Sequence, residues 1–352
     1  MSLRQQIACN FDDCFNSREF LASLAISLFA LTAIAAEPGS LSVPANAGGE
    51  EIQRVLDGLP AGGEAVLAPG TYIVRQPIIL RYDHQTLRGS GSSTVLYLAD
   101  NANCPVVILG PTVKAPEHPT AHVHLADLLI DGNRQHQQLE SWQSTTGSDQ
   151  IRNNGVTVRA AVDALVERVV CCRCRSGGLV SSEGTRRLTV RDFIAFDNQF
   201  DGLACYQTEE SIFTGLLLHD NLSAGISLDL DFGHNVISDA VLTGNDLGIF
   251  MRDARNNLFQ ALIIRQSRKH GVFMAQSDTY GQDGWQLRPN TECTGNSFVG
   301  LVISDCGGKA FLVNDGSCTN NLISGARFLN NVQGGLTQDG TGSVTVQGLL
   351  EN

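Results

Sequence analysis

Gly202-Leu-Ala-Cys-Tyr206, Gly225-Ile-Ser-Leu-Asp229 and Gly248-Ile-Phe-Met-Arg252 are three consecutive copies of one phrase, each starting 23 residues after the last. The phrase also opens upstream at Gly155-Val-Thr-Val and Gly178-Leu-Val-Ser, and downstream at Gly271-Val-Phe-Met. The six glycines are thus spaced 23, 24, 23, 23 and 23 residues apart. A second alternating segment follows, as in Leu188–Asn198, Ile212–Asn221 and Asn235–Asn245, and closes on asparagine. Apolar side chains recur at every second residue, which is strand periodicity and excludes helical repeats. The Leu-x-x-Leu-x-Leu frame of a leucine-rich repeat is absent from the sequence. Short alternating strands broken by Gly, Asn and Asp describe coils of a parallel β-solenoid. Each strand would pair with its equivalents one coil up and one coil down, about 4.8 Å away. Glycine is expected to supply a positive φ at the corners, and corner asparagines to stack as hydrogen-bonded ladders. After Gly271 the equivalent position is Ala310, 39 residues on, which is one coil plus about 16 inserted residues.

The wider composition agrees with a stacked solenoid. The 352 residues include 36 Gly, are 42% hydrophobic and only 17% charged, and carry net −12. That apolar content excludes a disordered chain, and the negative charge argues against a nucleic-acid partner. Leu21–Ala36 is an apolar run too short for a membrane span and suited to a signal-peptide core, with Ala33-Ile-Ala35 as cleavage pattern. Residues 1–36 are therefore expected to be a signal peptide, or alternatively an uncleaved anchor, and residues 37–352 the working domain. The body is then secreted, periplasmic or on the cell surface, and is expected to be a monomer with no stable membrane insertion once processed. Eight of the ten cysteines belong to it, to be buried in stacks or joined in one or two disulfides. Upstream of the repeats, Gly48–Leu59 has helical spacing at Ile52, Val55, Leu56 and Leu59 and would cap the open end of the solenoid.

A short helix followed by AVLAPGTYIV (65–74), IILRYDHQTLRGSG (78–91) and LLIDGN (128–133) resembles the start of pectate-lyase-like, right-handed parallel β-helix proteins. The resemblance covers roughly residues 43–352. It implies an all-β, single-stranded right-handed β-helix of about ten or eleven coils, in a secreted protein that handles polysaccharide. The paired aspartates with Gly-His-Gly of polygalacturonases and the Asp-Pro-His-Asp of alginate epimerases are both missing from this sequence.

Counting from each repeat glycine gives columns. Residues one and three after it are apolar and should point inward; those two and four after it should point outward. The fourth position stacks Tyr206, Asp229 and Arg252 on successive coils, with Phe250 and Phe273 in the column beside them and Asp231, His234, Asp253 and Arg255 just beyond. As a solvated face this is an ordinary cross-strand ion pair; outward phenylalanines are not needed for that. Trp142 lies in the irregular stretch before this column, and Tyr280 and Trp285 in the insertion after it, so these loops could wall a groove and stack on sugar rings. Abstraction of the C5 proton of a uronic acid, in a lyase or C5-epimerase, would use Arg252 against the substrate carboxylate, with Tyr206 or His234 as acid or base. The resemblance also admits Arg252 as the base. Asp229, Asp231 and Asp253 could hold Ca²⁺. As a third option, Asp229 and Asp231, two apart on one strand, would suit an inverting glycoside hydrolase. A non-catalytic glycan-binding or surface β-helix is the alternative outside enzymology. His84, His118, His122 and His124 look metal-like but lack a third ligand and are read as surface residues.

Overall fold

Alternation becomes parallel pairing throughout the computed structural model, which describes residues 39–45, 47–143, 150–276, 292–339 and 343–352. Among these, three parallel sheets of seventeen, ten and six strands run along the molecule. Twelve coils follow the longest sheet, from Ser40–Val43 to Val344–Gln347. That is more than the ten or eleven expected. The extra rows begin at Ser40, Glu64, Thr86 and His124, ahead of Gly155, where coil lengths are uneven and no common glycine marks them.

The ten-stranded sheet carries the repeated phrase in register, pairing Leu203 with Ile226, Ile226 with Ile249, and Ile249 with Val272. Val272 pairs with Phe311, so the insertion after Gly271 leaves the coil register intact. Leu203, Cys205, Ile226, Leu228, Ile249, Met251, Val272 and Met274 are all buried in the core, as alternation requires. Inner phenylalanines fill the solenoid's width, with Phe259 stacked on Phe298 at 4.6 Å.

The repeat glycines have a different cause from the one expected. None of the six has a positive φ; the left-handed positions are held instead by Asp192, Gly215, Asp239 and Ala261 midway along the long-sheet strands, and by Asp197, Asp220 and Gly244 at a corner. The repeat glycines are small because the corner is tight. A Cβ at Gly225 would lie 2.5 Å from Leu242 Cδ2 and 2.9 Å from Asn245 Nδ2, and one at Gly248 would lie 2.3 Å from the Gly271 carbonyl oxygen.

That corner is also an asparagine ladder. The Asn198, Asn221 and Asn245 side chains each accept a hydrogen bond from the backbone N–H one coil back, at 3.0, 3.3 and 3.0 Å. A second ladder, Asn235, Asn257, Asn296 and Asn321, lines the opposite turn in the same way. Buried corner amides are thereby satisfied without water.

Helix α1 (Gly49–Asp57) covers the first coils, burying Ile52 and Leu56. Its Gln53 accepts from the Ile79 N–H at 2.7 Å and donates to the Ile79 carbonyl at 3.1 Å, standing in for the missing next strand. The eight described cysteines are buried thiols, unjoined in this structure. Residues 1–36, with Cys9 and Cys14, lie outside the described residues.

Candidate functional site

Strand register puts Tyr206 beside Asp229, and Asp229 one step from Arg252, on the outward face of the ten-stranded sheet. Asp229 is 4% exposed; its Oδ2 meets Arg252 Nη2 at 2.5 Å, and its Oδ1 accepts from the Leu230 N–H at 2.8 Å. The Arg252 guanidinium lies 5.1 Å from the centre of the Phe250 ring. Phe250 and Phe273 are half-buried, stacked at 5.6 Å and nearly parallel. This gives a half-buried cation held against a carboxylate and an aromatic ring.

Two hollows flank the pair along the solenoid. The first, about 370 Å³, lies toward the N-terminal coils and is lined among others by Arg152, Arg159, Phe200, Asp201 and Tyr206. The second, about 490 Å³, is lined by Phe250, Arg252, Phe273, Ala275, Gln276, Asn314 and Asp315. In the first hollow, Arg152 stacks on Phe200 at 5.0 Å, and Arg159, 4% exposed, donates to the Val113 carbonyl at 3.3 Å. Burial, reinforced by the nearby Asp201 and Asp229 charges, pushes the Tyr206 phenol well above its ordinary pKa, so it keeps its proton at neutral pH. Burial also raises the Asp201 carboxyl, against hydrogen bonds from Ser223 and the Ala224 N–H that favour its charged form.

Several expected members stand elsewhere. The strand ends at Asp229; Leu230 and Asp231 both take left-handed φ (51° and 71°), so the chain turns the corner. Asp231 then pairs with Arg255 on the six-stranded sheet and lines a different depression with Arg186 and Glu209. The two carboxylates thus do not share a strand face, and the inverting-hydrolase pair is lost. His234 sits exposed at the next corner, beside Asn256 and Ser297 and away from both hollows, which removes it as acid or base. Arg255 is likewise held away from the hollows. Asp253 is fully buried, with Arg255 at 4.0 Å. The three aspartates proposed for Ca²⁺ do not gather at one point, and no three metal-ligating side chains converge among the described residues. Trp142 belongs to a two-stranded hairpin, paired with Ile151 and packed against the core. The hairpin does wall the first hollow, through Gln150, Ile151 and Arg152 rather than through the indole. Tyr280 and Trp285 lie outside the described residues. Arg152, Phe200 and Asp201 were missed by column counting, although Asp201 directly precedes a repeat glycine.

The profile described as "right handed beta helix region" matches residues 154–349, more than half of the chain. The chain belongs to the right-handed β-helix family. Among curated proteins, this β-helix is 27% identical over 190 residues to the mannuronan C5-epimerases AlgE1 and AlgE4 of Azotobacter vinelandii. The match takes in 50% of this chain but only 13% of AlgE1 and 32% of AlgE4, so the chain spans a third or less of these relatives. Among solved structures, the A-module of A. vinelandii mannuronan C-5 epimerase AlgE6 superposes with TM-score 0.54 at 18% identity, covering 86% of this chain and 94% of that one. The catalytic domain of a GH87 alpha-1,3-glucanase, solved with tetrasaccharides, gives TM-score 0.64 at 12% identity, covering 89% and 59%. At such identities the structural matches establish the β-helix fold shared with these proteins.

Proposed function

We propose that this right-handed β-helix acts on a uronate-containing polysaccharide, as a C5-epimerase or lyase, with Tyr206, Asp229 and Arg252 as its reacting centre. The observation that carries the reading is Arg252, clamped by Asp229 and seated on Phe250 between two hollows of about 370 and 490 Å³. The relatives named as mannuronan C5-epimerases support the same substrate class. A uronate carboxylate arriving at Arg252 draws the guanidinium partly off Asp229 and leaves that carboxylate as the basic group facing C5. Arg252 offsets the charge that grows on the substrate carboxylate as the C5 proton leaves. Tyr206, protonated at rest, supplies the proton: to the leaving glycosidic oxygen in a lyase, or to the opposite face of C5 in an epimerase. Phe250 and Phe273 carry the apolar faces of adjacent sugars. We further propose that residues 1–36 direct export and that residues 37–352 work outside the cytoplasm as a monomer on this polysaccharide.

The test is incubation with polymannuronate and with pectate. Elimination leaves an unsaturated, ultraviolet-absorbing end; epimerisation leaves none but exchanges the C5 proton with deuterated solvent. Tyr206→Phe and Arg252→Ala are expected to lower either rate at least 100-fold, about 2.7 kcal/mol of barrier. An Asp229→Ala/Arg252→Ala double variant with undiminished turnover overturns the assignment. A second reading, glycan binding without chemistry, is favoured by the mutual satisfaction of Asp229 and Arg252. Its mark is wild-type binding that never yields either product and weakens in Phe250→Ala.

A further inference from the structure

The insertion after Gly271 returns to the solenoid at Cys293, and the coil above it carries Cys318 at the equivalent position. The register is firm: the Gly295 N–H donates to the Thr319 carbonyl at 3.3 Å, Asn296 N–H to Asn321 Oδ1 at 3.0 Å, and Ser297 pairs with Leu322. The last two are offsets of 25 residues, the offset between Cys293 and Cys318 themselves. Asn321 Nδ2 also donates to the Cys293 carbonyl at 3.0 Å, fixing the two coils at that point. Equivalent residues of adjacent coils stand about 4.8 Å apart, inside the 4.4–6.8 Å between Cα atoms that a disulfide spans. Both side chains are fully buried, and each thiol shifts the other's pKa, as neighbouring groups do.

We propose that Cys293 and Cys318 form a disulfide that staples the coil re-entered after the insertion to the coil above it. No other two described cysteines occupy matched register on adjacent coils. The staple has a place in the site's architecture. Cys318 closes the turn that begins at Asp315, through its N–H to the Asp315 carbonyl at 3.1 Å. Asp315 in turn accepts from the Gln276 N–H at 3.0 Å, and Gln276, Asn314 and Asp315 form one wall of the second hollow. Joining 293 to 318 therefore fixes the wall that faces Phe250, Phe273 and Arg252.

The chemistry is thiol–disulfide exchange with an external disulfide, such as oxidised glutathione, as oxidant. Cys318 is the attacking sulfur, since the neighbouring Cys293 thiol lowers its pKa while burial raises that of Cys293. Its thiolate displaces one thiol from the donor to give a mixed disulfide. The Cys293 thiolate then attacks the Cys318 sulfur and releases the second thiol. Two protein thiols lose two protons and two electrons, and one donor disulfide becomes two thiols. The exposed Gly316 and Ser317 let the turn open to admit the donor.

The full chain, equilibrated with oxidised glutathione, is digested without reduction and mapped by mass spectrometry. The expected result is one linked peptide pair containing Cys293 and Cys318, with both lost from thiol labelling after denaturation. Reduction is expected to lower Tm by about 5 °C or more, a shift absent from Cys293→Ser/Cys318→Ser. Full labelling of both cysteines after oxidation, or linkage of either to another cysteine, overturns the proposal. The mapping uses the wild-type chain, so it decides even if the variant does not fold. It is also independent of whether the protein acts on a glycan.

Discussion

A methyl group at Gly248 would lie 2.3 Å from the Gly271 carbonyl oxygen and 2.4 Å from Ile264 Cγ2. Neither contact is a flexible tip, because one is backbone and the other is core. Gly248→Ala is expected to destabilise the protein by about 1–3 kcal/mol, read as a lower urea midpoint at unchanged slope. The glycine was legible as a repeat marker, but its reason was not. Periodicity reveals where a small residue recurs, whereas the crowding that demands it comes from a neighbouring coil. The same limit governs the site. Tyr206, Asp229, Arg252, Phe250 and Phe273 fell into their columns because they lie within regular strands. Asp231 and His234 did not, because two consecutive left-handed residues end the strand after Asp229, and neither Leu230 nor Asp231 announces such a turn.

The asparagine ladders show what one corner contributes as a unit. Asn245 Oδ1 accepts from both the N–H and the side-chain amide of Asn221, at 3.0 Å each, while its own amide donates to the Leu218 carbonyl at 2.8 Å. Asn245→Ala would leave a buried N–H of the preceding coil without a partner, at a cost of about 1–3 kcal/mol. Chemical denaturation of the variant checks this, and hydrogen exchange should quicken most at Asn221. The ladders were readable from sequence because the asparagines share the repeat's phase. The walls of the first hollow were not, since the hairpin Gln150–Arg152 and the corner residues Phe200 and Asp201 obey no shared spacing.

Across the molecule, charges on the long sheet alternate in sign from coil to coil. Glu64 pairs with Arg88, Asp127 with Arg168, and Glu167 with Arg168, Arg191 and His124. The Arg168 hydrogen bond holds the Asp127 carboxyl below its usual range. Burial alone would raise Glu167, but hydrogen bonds from Arg168 and Arg191 outweigh it and lower the pKa. Depressed carboxyl values stabilise the fold above the unfolded pKa of about 4 and lose that contribution as pH falls through the folded values. The urea midpoint is therefore expected to drop below about pH 4, with a shallower drop in Arg168→Ala. The solenoid as a whole was legible because its coils repeat; the uneven early coils were not, for want of that repetition. Its two ends differ. Gln53 of α1 occupies the backbone groups of Ile79 at one end, while at the other Val346 and Leu350 remain exposed on the last described strands. Under tension such a stack would open one coil at a time, since each coil touches only its neighbours. Each 23-residue coil released would pay out about 80 Å of extended chain, so the length gained would count the coils opened.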